Sequence, residues 1–137
     1  MVGVLIIAHG PFAEALISSA THVMGKRPLN VTGIAVTTQD KPDPLLDQAR
    51  RAVAQLDAGQ GVVVLTDMVG GTPSNIATRL LSDARVAGIA GANLPMLVRL
   101  LTYRNEGLAR AVHKALLGGS EGVALLAQEV GNAASRG

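Results

Sequence analysis

The chain has 137 residues, no cysteine and a formal net charge of +2, with one Phe, one Tyr and no Trp. That length fits one domain that buries about two-thirds of its unfolded surface, and the missing cysteines exclude disulfides and thiolate metal sites. Scattered Lys and Arg without aromatic platforms exclude a duplex or single-strand nucleic-acid surface, and no apolar run reaches the roughly 18 residues of a membrane span.

The first element is an apolar run from Val2 to Ala8, the length of a strand buried on both faces. Gly10-Pro11 stops it, because proline has no amide to give a ladder, and His9 is left at the strand's carboxyl end. Pro11 then opens a helical pattern in which Phe12, Leu16, Ile17, Ala20, Val23 and Met24 face inward and Gly25 ends the helix. Residues 31–36 form a second strand. Asp43 is expected to cap the next helix, with Pro44 at its first position and a stripe of Leu45, Leu46, Ala49, Ala52, Val53 and Leu56. Asp57-Ala58-Gly59 closes it as a turn.

Residues 62–65 are a third buried strand. It runs into the polar, glycine-rich loop Thr66-Asp67-Met68-Val69-Gly70-Gly71-Thr72-Pro73, and Ile76, Ala77, Leu80 and Leu81 mark the following helix. Residues 85–90 predict a fourth strand, and Gly91-Ala92-Asn93-Leu94-Pro95 leads into a helix with Met96, Leu97, Leu100 and Leu101 inward. Leu108, Val112, Ala115 and Leu116 predict a fifth helix that ends at Gly118-Gly119. The pattern leaves residues 121–130 open between strand and helix.

Strands alternating with helices predict an α/β fold: a doubly wound, mostly parallel sheet with right-handed crossovers and helices on both faces. We expect one domain over residues 1–130 and a flexible tail at 131–137, whose small and polar residues have little to pack. The absence of cysteine and of a basic flank before the first apolar run points to a cytoplasmic protein without membrane insertion.

In the common strand order 2-1-3-4, the first and third strands are neighbours and the ligand crevice opens between them. His9 and Asp67 then meet at that crevice. A carboxylate beside an imidazole accepts the proton of one ring nitrogen, leaves the other free, and stabilises the cation that forms. Gly70 and Gly71 allow backbone amides to approach an anion, and Thr72 and Ser74 at a helix start add hydroxyl donors. These residues have blander uses as well: a tight turn for the glycines, a cap for Thr72 and Asp67, a structural histidine for His9. The spacing is neither a Walker loop nor a dinucleotide fingerprint. No further His or carboxylate is spaced to converge with His9 and Asp67 on a metal, so none is expected, and His22 and His113 read as surface residues.

Three motifs, each at a strand end, carry a resemblance: Ile7-Ala8-His9-Gly10, Leu65-Thr66-Asp67-Met68-Val69-Gly70-Gly71-Thr72-Pro73-Ser74-Asn75, and Gly91-Ala92-Asn93-Leu94-Pro95-Met96-Leu97. In these the chain resembles the IIA domains of the mannose family of the bacterial phosphoenolpyruvate-dependent sugar phosphotransferase system. The resemblance implies that His9 accepts a phosphoryl group from the histidine phosphocarrier HPr and passes it to a IIB partner. It matches Asp67 to the acidic partner of that histidine and Thr72 to the hydroxyl of the glycine loop, and it requires no nucleotide or other cofactor. It also implies a homodimer in which the C-terminal segment, with a strand near residues 123–126, is exchanged between subunits as an extra edge strand. A second reading is a non-catalytic anion or metabolite module, or a regulatory one, using the same crevice.

Overall fold

The structure is a computed structural model and describes residues 1–127. The elements in chain order are β1 (Gly3–His9), α1 (Phe12–Met24), β2 (Val31–Val36), α2 (Pro42–Leu56), β3 (Val62–Thr66), α3 (Thr72–Leu80), β4 (Val86–Ala90), α4 (Leu94–Tyr103) and α5 (Leu108–Glu121). The sheet order is β2-β1-β3-β4 and every pairing is parallel, as the alternation of strands and helices requires. Within β1, Val4, Ile6 and Ala8 join α1, α4 and α5 in one core, while Leu5 and Ile7 join α2 and α3 in the other. The central strands therefore have no polar face, which is why they read as unbroken apolar runs. Among the described residues no helix is long and apolar enough to cross a membrane.

Local expectations differ from the structure in several places. Helix α2 begins at Pro42, with Lys41 at the cap position and no side-chain cap, so Asp43 lies inside the first turn rather than before it. Pro42 already supplies the preset φ of a first helical position, and Asp43 there complements the positive end of the helix dipole. Helix α5 does not stop at Gly118-Gly119 but continues to Glu121. A Cβ at Gly118 would lie 2.6 Å from the Arg99 Cβ, and one at Gly119 would lie 2.6 Å from the Met96 Cε. These glycines let α5 lie against α4, and close packing outweighs their low helix propensity. The buried stripe of α5 runs through Ala111, Ala115 and Gly118, which turns Leu116 out to solvent. Leu81 lies beyond the last turn of α3, and Val23 and Met24 in the last turn of α1 are exposed as well.

Residues 123–127 form no strand, and Val123, Leu125 and Leu126 are largely exposed. A strand at 123–126 needs a ladder to join, and none of β1 to β4 pairs with this segment. The tail expected at 131–137 lies outside the described residues.

One of the scattered arginines is a core residue. Arg104 is 5% exposed, and its guanidinium donates to the Val2 carbonyl from Nε (3.0 Å) and Nη2 (2.7 Å), to the Leu29 carbonyl (2.6 Å) and to the Asn30 carbonyl (2.9 Å). The Val2 amide returns a bond to the Arg104 carbonyl at 2.9 Å. Arg104 thus ties the end of α4 to the start of β1 and to the turn before β2. Burial lowers its pKa, and the three carbonyls compensate for the missing water.

Candidate active site at the carboxyl edge of the sheet

Parallel pairing brings the ends of the two central strands level. Ile7 of β1 faces Thr66 of β3, so the residues that leave those strands, His9 and Asp67, emerge side by side although 58 positions apart in the chain. Asp67 Oδ2 accepts hydrogen bonds from the His9 ring at Nδ1 (2.8 Å) and from the His9 backbone amide (3.1 Å). Its Oδ1 accepts the Met68 amide at 3.1 Å. Partial burial pushes the Asp67 pKa up, but the bonds from the His9 ring and amide outweigh it and hold the carboxyl below its ordinary range. Asp67 is therefore ionised at neutral pH and acts only as an acceptor. That assigns the ring proton to Nδ1 and leaves the lone pair on Nε2.

The glycine loop explains what Nε2 faces. Gly71 has φ of 85°, in the left-handed region, and a Cβ on it would come within 3.2 Å of His9 Nε2. A side chain there would be strained and would crowd the free nitrogen. Gly10, with φ of 53°, turns the chain away just after His9, and its amide donates to the Val36 carbonyl of β2 at 2.9 Å. The result is a cavity of about 500 Å³ lined by His9, Gly10, Val36, Thr37, Thr38, Gly71 and Thr72. His9 is half exposed in it and Asp67 is largely covered behind it. Helix α3 starts at Thr72, so its first amides and dipole end face this edge of the sheet.

The structure thus gathers His9, Asp67, Gly71 and Thr72 at one place. Gly70 adjoins Gly71 in the exposed loop, with φ of 89°, outside the cavity lining. Ser74 lines a different groove, between α3 and β4, together with Thr66, Val69, Ala77 and Leu81. His22 and His113 are exposed and remote from the cavity lining. Among the described residues no three His, Asp or Glu side chains cluster as metal ligands. Sequence reading missed Thr37 and Thr38, which directly follow β2 at the same carboxyl edge as His9 and Asp67. The strand-end rule that selected those two residues would have selected the threonines also.

An imidazole with one nitrogen fixed by a carboxylate and the other beside Gly71 in a cavity lined by threonines is suited to attack on an electrophile that carries negative charge. Residues 3–117 match the family described as PTS system fructose IIA component. The chain is 35% identical over 137 residues to the PTS system mannose-specific EIIAB component of Escherichia coli (strain K12), covering 97% of this chain and 42% of that protein. The chain thus spans less than half the length of that relative. It is 30% identical over 107 residues to the PTS system fructose-specific EIIA component of Bacillus subtilis (strain 168), covering 77% and 73% of the two chains. Among solved structures it is similar to a phosphotransferase system component EIIA from Streptococcus agalactiae, with a TM-score of 0.81 and 27% identity over 91% of this chain and 97% of the other. With its fold, its paired strand ends and these relatives in agreement, the chain belongs to the family of PTS system fructose IIA components.

Proposed function

We propose that this chain is a phosphoryl carrier whose His9 Nε2 takes a phosphoryl group from the phosphohistidine of HPr and passes it to a IIB partner in the cytoplasm. The observation that carries this reading is the division of labour on one ring: Nδ1 is held by Asp67 at 2.8 Å while Gly71 leaves Nε2 uncovered. In the transfer the Nε2 lone pair forms a bond to phosphorus as the donor's N–P bond breaks and its electron pair returns to the donor imidazole. His9 becomes cationic, and the Asp67 carboxylate stabilises that charge. The Gly71 and Thr72 amides and the Thr72 hydroxyl balance the phosphoryl oxygens. The donor already carries an activated phosphoryl group, so no nucleotide, metal or other cofactor enters the step.

The test is incubation with phosphoenolpyruvate, the first phosphotransferase-system enzyme and HPr. The expected result is an acid-labile mass gain of one phosphoryl group, with the phosphorus on Nε2 in the nitrogen spectrum of labelled histidine. No gain with competent partners overturns the proposal. Saturable phosphate binding without that gain would favour the non-catalytic anion module.

Asp67→Asn is expected to fold and to accept phosphoryl about 100-fold more slowly, since an amide enforces neither the tautomer nor the charge balance. Stopped-flow transfer from phospho-HPr measures it, and a wild-type rate would remove Asp67 from the mechanism.

The chain is proposed to act as a homodimer. The support is that, among the described residues, the outer edge of β4 is unpaired, an apolar groove lies beside it, and exposed Val123, Leu125 and Leu126 lie on a segment without a ladder of its own. Sedimentation should give twice the chain mass, and Leu125→Lys with Leu126→Lys should give the monomer. A wild-type monomer at micromolar concentration refutes the dimer.

A further inference from the structure

The phosphoryl cavity has a third wall that the proposed transfer does not yet use. Strand β2 pairs with β1 so that Val36 lies opposite His9, and the Gly10 amide is bonded to the Val36 carbonyl. Adjacent strands lie about 4.8 Å apart, so the residues that follow Val36 run alongside the imidazole. Thr37 and Thr38 both line the cavity, but their polar groups are differently engaged. The Thr37 amide donates to Asp40 Oδ2 at 2.7 Å, its hydroxyl donates to the same oxygen at 3.2 Å, and its carbonyl accepts the Asp40 amide at 3.2 Å. The Gln39 amide donates to the Thr37 hydroxyl at 3.3 Å. Thr37, Gln39 and Asp40 therefore close a tight turn on themselves, with Thr38 at its tip. Among the described residues neither the Thr38 amide nor its hydroxyl has a hydrogen-bond partner.

A phosphoryl group on His9 presents three oxygens and close to two negative charges. Gly71 and Thr72 approach it from the β3 side only. We infer that Thr38, through its free amide and hydroxyl, is a phosphoryl-binding residue that holds these oxygens from the β2 side, and that Asp40 is the positioning residue that keeps the turn closed. This rests on the phosphoryl-carrier reading above. It adds no step to the transfer. It adds two donors on the face of the cavity opposite α3, and donors of this kind are strongest when the acceptor is charged.

The experiment measures the equilibrium of phosphoryl exchange between phospho-HPr and this protein. Thr38→Val, which keeps the shape and loses the hydroxyl, is expected to shift that equilibrium about tenfold towards phospho-HPr, as one charge-assisted hydrogen bond does. Thr38→Ser should restore it, and the thermal midpoint of all three proteins should agree. In the amide spectrum of the wild-type protein the Thr38 resonance should move downfield on phosphorylation, while Thr37, already bonded to Asp40, should move little. Asp40→Ala should lose the Thr38 displacement and show the same weakening. If wild-type protein takes no phosphoryl group, the carrier reading falls and this inference with it. If wild-type protein is phosphorylated and Thr38→Val matches it in equilibrium, the inference alone is overturned.

Discussion

His9→Gln is expected to give a folded protein that gains no phosphoryl group under conditions in which the wild-type protein is fully phosphorylated. The His9 side chain is half exposed and its only described bonding partner is Asp67. Glutamine can donate its amide to the same carboxylate, so the change in stability should stay within about 0.5 kcal/mol, as for surface positions generally. The reactivity does not survive, because the lone pair of an amide nitrogen is delocalised into its carbonyl and is a poor nucleophile. Intact mass after incubation with phospho-HPr measures the outcome directly. His22 and His113 are exposed and serve as internal controls. If the variant still gains an acid-labile phosphoryl group, the acceptor is one of those two and the site assignment is wrong.

Arg104→Met is expected to lower the stability of the fold by about 3 kcal/mol with little effect on the chemistry of the site. Methionine replaces much of the buried stem but leaves the carbonyls of Val2, Leu29 and Asn30 without their donors. Those three groups sit where α4, the start of β1 and the turn before β2 meet, so no single element can relax to recover the bonds. Arg110 is the contrasting case. Its ion pair with Glu106 is exposed on both sides, and Arg110→Met should cost no more than about 0.5 kcal/mol. Urea unfolding of the two variants provides the comparison, read as a shift in midpoint at constant slope. Equal shifts would mean that the Arg104 bonds are replaced by water in the variant.

The two arginines also mark how far a sequence can be read. Arg110 follows Glu106 by one helical turn, the spacing of an exposed pair, whereas nothing in the neighbours of Arg104 distinguishes a solvated cation from one that caps three distant carbonyls. The glycines divide in the same way. Gly25 terminates α1 with φ of 89° as its local context predicts, whereas Gly118 and Gly119 resemble a helix stop and instead permit α4 and α5 to touch. Local periodicity reports which face of an element is apolar. It carries no information on what that face meets.

The carboxyl edge of the sheet was the most legible part of the molecule. Continuous apolar runs that end on His9 and on Thr66-Asp67 locate two strand ends without any structure, because a doubly buried parallel strand stays apolar until its last residue, His9 in β1 and Thr66 in β3. The starts of α1, α3 and α4 read out similarly, through Pro11, Pro73 and Pro95, whose φ is preset and whose amide is missing. By itself the sequence thus determined the order of the elements, the sheet edge at which His9, Asp67 and the glycine loop lie, and the residue types present there. Only the tertiary structure decided which of those residues share a cavity. It tied Nδ1 rather than Nε2 to Asp67, set Gly71 against the free nitrogen, moved Ser74 into the neighbouring groove and brought Thr38 in from β2. Each of these is a contact between segments far apart in the chain, set by strand register and the twist of packed layers, and neither quantity leaves a periodic trace in the residues that obey it.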